Sequence, residues 1–289
     1  MKVTFLGTGT SIGVPAIGCT CEVCRSSDPR DKRLRSSALL ETDRGLRILI
    51  DCGPDFRQQI MDRFGKLDAV LLTHVHYDHV GGMDDLRPFA WFGDVDIYAQ
   101  QDVIDTLHTT MPYCFKEHLY PGVPLLKLHE VVAGCPFTIS RPKEHVAQFP
   151  GSGATLEGVM HREGHTKVIP AIDEKLEVMP VAVMHGKLSI LGYRFGNFAY
   201  ITDMKSAPEE TMRLLGGGVK VLVINALRFE KEHHSHQLVN DAIQFAKAIG
   251  AKQTYFIHLT HDIGTHDIAN SKLPKGFHFA YDGQEIEFI

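Results

Sequence analysis

The sequence predicts a layered α/β or αββα fold. Short apolar runs rich in β-branched residues recur along the chain and are bounded by Gly, Asp or Pro, which is typical of strands. Strands dominate the first half, whereas strands alternate with helical patterns in the second half. An order of this kind favours sheets that are covered by helices.

The predicted strands share this apolar, β-branched character and lie at 2–7, 46–50, 69–73, 176–183, 199–202, 219–224 and 254–257. Ser206 and Glu209 form the pattern of a capping box, which predicts a helix that ends at Gly216. A second helix is expected to begin at Ser235 or His236 and to end at Gly250. Further helices are predicted at 84–92 and 101–111.

The composition is that of a globular protein. The 289 residues, 44% hydrophobic and 22% charged, can bury a large core, and we predict one domain over 1–289. The segment at about 142–173 is rich in Gly, Pro and His and has weak periodicity, which indicates an inserted loop or lid. His145, His161 and His165 lie in it and are expected to be surface residues of a loop or to reach substrate.

Charge gives no general reason to expect nucleic-acid binding, since the formal net charge is −5. One basic run is predicted to be a solvated loop; it comprises Arg25, Arg30, Lys32, Arg33 and Arg35. No export signal is visible, and no apolar stretch has the length of a membrane-spanning helix. We therefore expect a cytoplasmic protein without a membrane partner.

The strongest motif is the stretch from Thr73 to His79, which follows the predicted strand at 69–73. It contains four side chains that can bind metal: His74, His76, Asp78 and His79. Alternate residues at a strand end face the same way, so His74 and His76 can reach one ion, and Asp78 and His79 a second position. Imidazole and carboxylate ligands suit zinc, manganese or iron.

Three further candidate ligands each follow a predicted strand: His185, Asp203 and His258. Together with the first motif, this pattern resembles the metallo-β-lactamase superfamily of hydrolases, whose fold has two central mixed β-sheets flanked by helices. The resemblance implies that Asp51 orients the metal-binding loop rather than binding metal.

A second candidate site comprises the thiols of Cys19, Cys21 and Cys24, which need one more ligand to close a tetrahedron around zinc. His261 is available, three residues beyond His258; an ordinary polar or a catalytic role is the alternative. These residues resemble the PhnP family of cyclic-phosphate phosphodiesterases. That resemblance implies a structural zinc at these four positions and a possible homodimer, whereas the segment at 142–173 departs from typical members.

We predict two catalytic divalent ions. His74, His76 and His185 would hold one of them. Asp78, His79 and His258 would hold the other, with Asp203 bridging the pair, so that Asp78 and Asp203 count as catalytic residues. The ions would acidify a bridging water, which then attacks the phosphorus of a small phosphodiester.

The leaving oxygen needs a proton, and the His233-His234-Ser235-His236 run is the best source. By resemblance to the family, His236 is the first choice for this role and His233 the second. The alternative is a run of histidines that caps a helix or is merely exposed.

Other functions remain open on the sequence. A tRNA 3′-processing endonuclease uses the same ligands, but no RNA-clamping arm or basic surface is evident. Thioester, lactone or β-lactam hydrolysis could use the same metals. A non-catalytic PqqB-like metal-binding or carrier protein shares the thiol cluster; that relative lacks a complete set of active-site ligands, which this chain has.

Overall fold

Two seven-stranded β-sheets form the centre of the protein. The structure is a computed structural model that describes residues 1–120, 122–149 and 165–288. Numbered in chain order, the strands are β1 (Lys2–Gly7), β2 (Ser37–Glu41), β3 (Arg47–Ile50), β4 (Ala69–Leu71), β5 (Val95–Ala99), β6 (Leu126–Glu130), β7 (Phe137–Arg141), β8 (His145–Phe149), β9 (His165–Ile169), β10 (Ile172–His185), β11 (Leu188–Phe195), β12 (Phe198–Ile201), β13 (Val221–Asn225), β14 (Gln253–Ile257), β15 (Phe277–Phe279) and β16 (Glu285–Glu287).

Both sheets are mixed. The first has the order β16-β1-β2-β3-β4-β5-β6, with β3 to β6 parallel, and the second has the order β15-β14-β13-β12-β11-β10-β7, with β12 to β15 parallel. Strands β8 and β9 form a separate antiparallel pair. The parallel strands of each sheet end at a common edge, which brings the residues that follow them together.

The described helices are short and connect the strands. The α-helices are α1 (Glu22–Arg25), α2 (Phe56–Ile60), α3 (Tyr77–Val80), α4 (Gln101–Thr110), α5 (Glu209–Leu215), α6 (Val239–Ile249) and α7 (His266–Ser271). The 3₁₀ helices are Pro29–Asp31, Met61–Arg63, Met83–Phe92, Pro112–Cys114 and His261–Ile263. No helix of the described ranges combines the length and the apolar character that crossing a bilayer requires.

The core has the layers that the sequence predicts. Phe5 and Ile48 of the first sheet share one buried cluster with Tyr193 and Val223 of the second, so the inner faces of the sheets pack on each other. A second cluster joins the outer face of the first sheet to α2, α4 and the 3₁₀ helix Met83–Phe92. A third joins the second sheet to α5 and α6. The arrangement is an αββα sandwich.

Several predicted boundaries were wrong for identifiable reasons. Helix α5 ends at Gly216 as expected, but its first cap is Pro208 and no capping box forms. Helix α6 begins at Val239 rather than at Ser235 or His236, because the buried Gln237 side chain donates to the Asn225 carbonyl and keeps the preceding loop against β13. The helix predicted at 84–92 is a 3₁₀ helix with a proline inside it.

The basic run is not a solvated loop. Arg33 is buried and donates to Thr8 Oγ1 and to the Ala280 carbonyl, which joins the two ends of the chain. Arg30 and Arg35 form ion pairs with carboxylates. The spacing of charges along the sequence did not reveal the partners of Arg33 and Arg35, because they lie far away in the chain.

The predicted insertion at 142–173 contains regular structure at both ends, namely β8, β9 and the start of β10. His145 begins β8 and lines a cavity with Lys66 and Arg141. His161 and the side chain of His165 lie outside the described residues, so a lid stays a prediction.

Candidate metal centre

The candidate metal ligands lie at the ends of four strands. His74 and His76 follow β4, with Asp78 and His79 on the short helix α3 directly after them. The other three ligands also lie at or just after the end of a strand. They are His185 at the end of β10, Asp203 after β12 and His258 after β14. The two sheets thus contribute to one buried cluster of donors.

Asp203 stands at the middle of this cluster. Its Oδ1 lies 3.1 Å from Nδ1 of His258 and 3.4 Å from Nε2 of His79. Its Oδ2 lies 3.8 Å from Nε2 of His74. The two carboxylate oxygens therefore face two different groups of histidines.

Around Asp203, the donor atoms of the described residues form three overlapping groups in which all atoms lie within 4.8 Å of one another. They are Asp78, His79, Asp203 and His258; His74, His76 and Asp203; and His185, Asp203 and His236. The first group is entirely buried, whereas His76 in the second is exposed. His185 was expected beside His74 and His76; its ring lies 5.1 Å from that of His76 and 4.7 Å from that of His236.

The donors fit divalent cations. Nε2 of His74 and Nε2 of His79 are buried, and neither has a hydrogen-bond partner among the described residues. Leaving such atoms unpaired costs about 1–3 kcal/mol each. Metal binding would satisfy both, and a set of imidazoles and carboxylates is the chemistry that zinc, manganese or iron prefers.

Further contacts fix the orientation of the histidine rings. Nδ1 of His79 lies 2.7 Å from Asp51 Oδ2, and Nδ1 of His185 lies 2.7 Å from the Asp203 carbonyl. Nδ1 of His74 lies 3.0 Å from Thr73 Oγ1, which also contacts Asp51. Because Nδ1 of His74, His79 and His185 has a hydrogen-bond partner, Nε2 of each of these rings is the nitrogen that can bind an ion.

The backbone is strained at the same positions. Asp51, Asp203 and His258 have φ values of 60°, 55° and 57°, and Lys231 is the other described non-glycine residue with positive φ. Left-handed backbone costs a non-glycine residue about 1–2 kcal/mol. The strain is concentrated at the candidate site, where it turns side chains at strand ends inward.

Electrostatics favour an ionised carboxylate at the centre. Burial alone would raise the pKa of Asp203, but His258 and His79 hold it well below its usual range. Burial lowers the pKa of His74 and of His258, which favours the neutral imidazole that binds metal.

His236 lies closer to this cluster than His233 does. Its ring is 4.7 Å from that of His185 and 4.8 Å from that of His258, and its buried Nδ1 has no hydrogen-bond partner among the described residues. Burial lowers its pKa to about 2. The ring of His233 is tilted against that of His236 at 4.9 Å, and Nδ1 of His233 lies 3.2 Å from Ser235 Oγ.

The thiol cluster is a separate group of donors. The Sγ atoms of Cys19, Cys21 and Cys24 lie 3.2, 3.3 and 3.3 Å from Nδ1 of His261. The Cys24 N–H donates to Cys21 Sγ and lowers the pKa of that thiol to about 6, whereas burial raises the pKa of Cys24 to about 11. The Cys₃His set could hold a tetrahedral zinc ion.

Comparison with known proteins identifies the family. Residues 46–259, which include every candidate ligand from His74 to His258, match the beta-lactamase superfamily domain. The chain belongs to the beta-lactamase superfamily. Within the superfamily, the chain resembles a solved structure described as a new diphosphatase from the PhnP family, with a TM-score of 0.78 and 35% identity over 99% of this chain and 96% of that one. The resemblance to that family is confirmed.

Two solved structures of lower sequence identity share the fold. Zn²⁺-bound PqqB from Methylobacterium extorquens superposes with a TM-score of 0.65 at 19% identity and covers all of both chains. The short form of human tRNase Z superposes with a TM-score of 0.64 at 18% identity over 99% of each chain. Identities this low support the metallo-β-lactamase fold alone.

A relative from Porphyromonas gingivalis (strain ATCC BAA-308 / W83), named octanoyltransferase, is 43% identical over 286 residues. The match covers 99% of this chain but 51% of the relative, so the chain spans about half the length of that protein.

Sequence reasoning missed some contacts of the site. The sequence gives Thr73 no role beyond the start of the motif, although its hydroxyl joins Asp51 to His74. Ser36 Oγ lies 3.5 Å from Nδ1 of His258 and donates to the Gly9 carbonyl. Its position in the chain carries no metal-site pattern, so no signal in the sequence pointed to it.

Proposed function

We propose that this protein is a metal-dependent phosphodiesterase that cleaves a small or cyclic phosphodiester. The observation that carries the proposal is the placement of Asp203, whose two oxygens face separate groups of donors. One carboxylate between two cation positions suits hydrolysis in which both the attacking and the leaving oxygen are stabilised. Similarity to a structure described as a PhnP-family diphosphatase, at 35% identity, supports a substrate that contains a phosphoryl group.

The residues would divide the work as follows. One divalent ion would be held by Asp78, His79 and His258. The other would be held by His74, His76 and His185. Asp203 would contact both ions. Bound ions would lower the pKa of water and neutralise charge on the phosphoryl oxygens. Asp51 and Thr73 keep the rings of His79 and His74 oriented. His236 lies beside His185 and His258, and burial keeps its imidazole neutral, so its N–H would donate a hydrogen bond to the leaving oxygen.

An activity screen tests the proposal. Protein loaded in turn with zinc, manganese or iron would be assayed on cyclic phosphates, bis-p-nitrophenyl phosphate, nucleotide diesters, RNA and acyl thioesters. We expect hydrolysis of the small diesters, abolished by Asp203→Asn and unaffected by the exposed substitution Asp43→Asn. Full metal loading without cleavage of any phosphodiester would contradict the proposal and favour a PqqB-like metal-binding role.

A second candidate is hydrolysis of an acyl ester or thioester. The observation that favours it is the 43% identity to a protein named octanoyltransferase. The name belongs to a chain about twice as long, and its activity can reside in the half that the match leaves out. The same screen separates the two candidates: turnover of octanoyl thioesters without turnover of diesters would support the second, and the reverse result the first.

A further inference from the structure

A small polar cavity lies at the opposite edge of the first sheet from the candidate metal centre. It has a volume of about 250 Å³. Asp68 precedes β4, Asp94 precedes β5 and Lys127 lies near the start of β6, so the cavity is at the amino ends of these parallel strands. The candidate metal ligands follow the carboxyl end of β4. The cavity is therefore separate from the metal centre.

The deep part of the cavity contains more positive than negative charge. Lys66, Asp68 and Arg141 are 9%, 8% and 7% exposed, so two cations accompany one carboxylate. Burying an ion without a partner is costly, and side chains of this kind are ordinarily paired. The charges of the whole cavity balance, because Asp94 and Asp96 at its rim also attract Lys66, so positive charge dominates the deep end and negative charge the rim.

The hydrogen bonding of these three side chains is incomplete. Arg141 Nη2 donates to the Gly45 carbonyl, but Arg141 Nε and Asp68 Oδ1 lie 3.3 Å apart without hydrogen-bond geometry, and both are unsatisfied among the described residues. Asp68 Oδ2 accepts from the Arg47 N–H. The Lys66 ammonium donates no hydrogen bond within the part of the chain that the structure describes. Lys66 and Arg141 can thus bind a carboxylate.

The rim of the cavity has the opposite charge balance. Asp94 is exposed, and Asp96 accepts from His129 Nε2 through Oδ1 at 2.6 Å. Lys127 Nζ is 3.9 Å from the same oxygen and is largely exposed. Two carboxylates therefore accompany one lysine at the rim, and the second oxygen of Asp96 and both oxygens of Asp94 accept no hydrogen bond from described residues. An ammonium group would fit there.

We propose that this cavity binds a small zwitterion of the amino-acid class. Its carboxylate contacts Lys66 and Arg141, and its ammonium group contacts Asp94 and Asp96. The cavity is smaller than the usual range of about 300–1,000 Å³ for drug-sized ligands, which restricts the occupant to a compact molecule. This site is independent of the phosphodiesterase proposal.

Thermal unfolding and calorimetry of the full, metal-loaded chain test the site with the standard amino acids as probes. Acetate and ammonium chloride serve as controls, because acetate has only the carboxylate of an amino acid and ammonium chloride supplies only the ammonium ion. We expect at least one amino acid to raise the unfolding temperature, by an amount that increases with the logarithm of its concentration above the Kd, and neither control to do so. No shift with any amino acid, or an equal shift with acetate alone, would overturn the proposal.

Three variants locate the binding. Lys66→Met should weaken binding about a hundredfold, as expected for loss of a buried charge partner. Asp94→Asn, at an exposed position that leaves the fold unaffected, should weaken it roughly two- to fivefold. Lys252→Met, an exposed lysine outside the cavity, should bind as the wild type does. Unchanged amino-acid binding in both Lys66→Met and Asp94→Asn would overturn the proposal. The rate of phosphodiester hydrolysis should be the same in all three variants as in the wild type.

Discussion

Asp51 Oδ2 accepts a hydrogen bond from Nδ1 of His79 at 2.7 Å, and both side chains are completely buried. The same carboxylate accepts from the Thr73 N–H and hydroxyl through Oδ1. It therefore fixes the loop that presents His74 and His79 without itself joining any of the donor groups around Asp203.

Asp51→Asn should weaken binding of the catalytic ions about 10–100-fold, because an amide offers one acceptor where the carboxylate offers two. Titration of metal-stripped protein against a competing chelator measures the effect. Asp43→Asn, an exposed change of the same chemistry, serves as the control. Equal affinities in the two variants would show that Asp51 does not orient the ligand.

His236→Ala should lower kcat for a phosphodiester about 10²–10³-fold while leaving metal content intact, because it removes a hydrogen-bond donor to the leaving oxygen beside the ions. His234→Ala is the matched control, since His234 is its exposed neighbour. Steady-state kinetics together with elemental analysis give both readouts. Unchanged turnover in His236→Ala would remove this residue from the mechanism, and a loss of metal would make it a ligand instead.

Cys24→Ser should release the ion from the thiol cluster and leave the catalytic ions in place, because serine is a poor ligand for zinc. We expect the unfolding temperature to fall by about 5 °C, which corresponds to about 2 kcal/mol. Cys135→Ser, at an exposed thiol outside the cluster, should change neither quantity. Loss of the catalytic ions in Cys24→Ser would show that the two sites are not independent.

Asp282 should make stability depend on pH. Burial raises the pKa of its carboxyl from 3.8 to about 6, although the Leu34 N–H and the Thr8 hydroxyl donate to it. The stabilisation from the protonated form is complete below the unfolded-state pKa and is lost as pH rises through about 6, a difference of about 3 kcal/mol.

Unfolding free energies of wild type and Asp282→Asn, measured between about pH 4 and pH 6.5, test this prediction. The wild type should lose stability relative to the variant as pH rises. Parallel curves would mean that Asp282 has the same pKa in the folded and unfolded states.

The sequence predicted the layers, and all seven predicted strands exist, because apolar runs bounded by turn residues indicate buried strands directly; the other nine of the sixteen described strands, among them β2 and β11, were not predicted. It also predicted that His185, Asp203 and His258 would meet the first motif, because each follows a predicted strand and the whole set resembles that of the metallo-β-lactamase superfamily. Local contacts were harder to predict. The start of α6 depends on Gln237, whose buried side chain binds β13, and the partners of Arg33 are far away in the chain.

Elemental analysis of Asp203→Asn tests the central claim most directly, namely that this carboxylate joins two cation positions. Asparagine tolerates the left-handed backbone at this position, where φ is 55°, so the fold should persist. We predict that the variant keeps the ion of the thiol cluster and loses both ions of the catalytic pair. A variant that retains as much metal as the wild type would contradict the account.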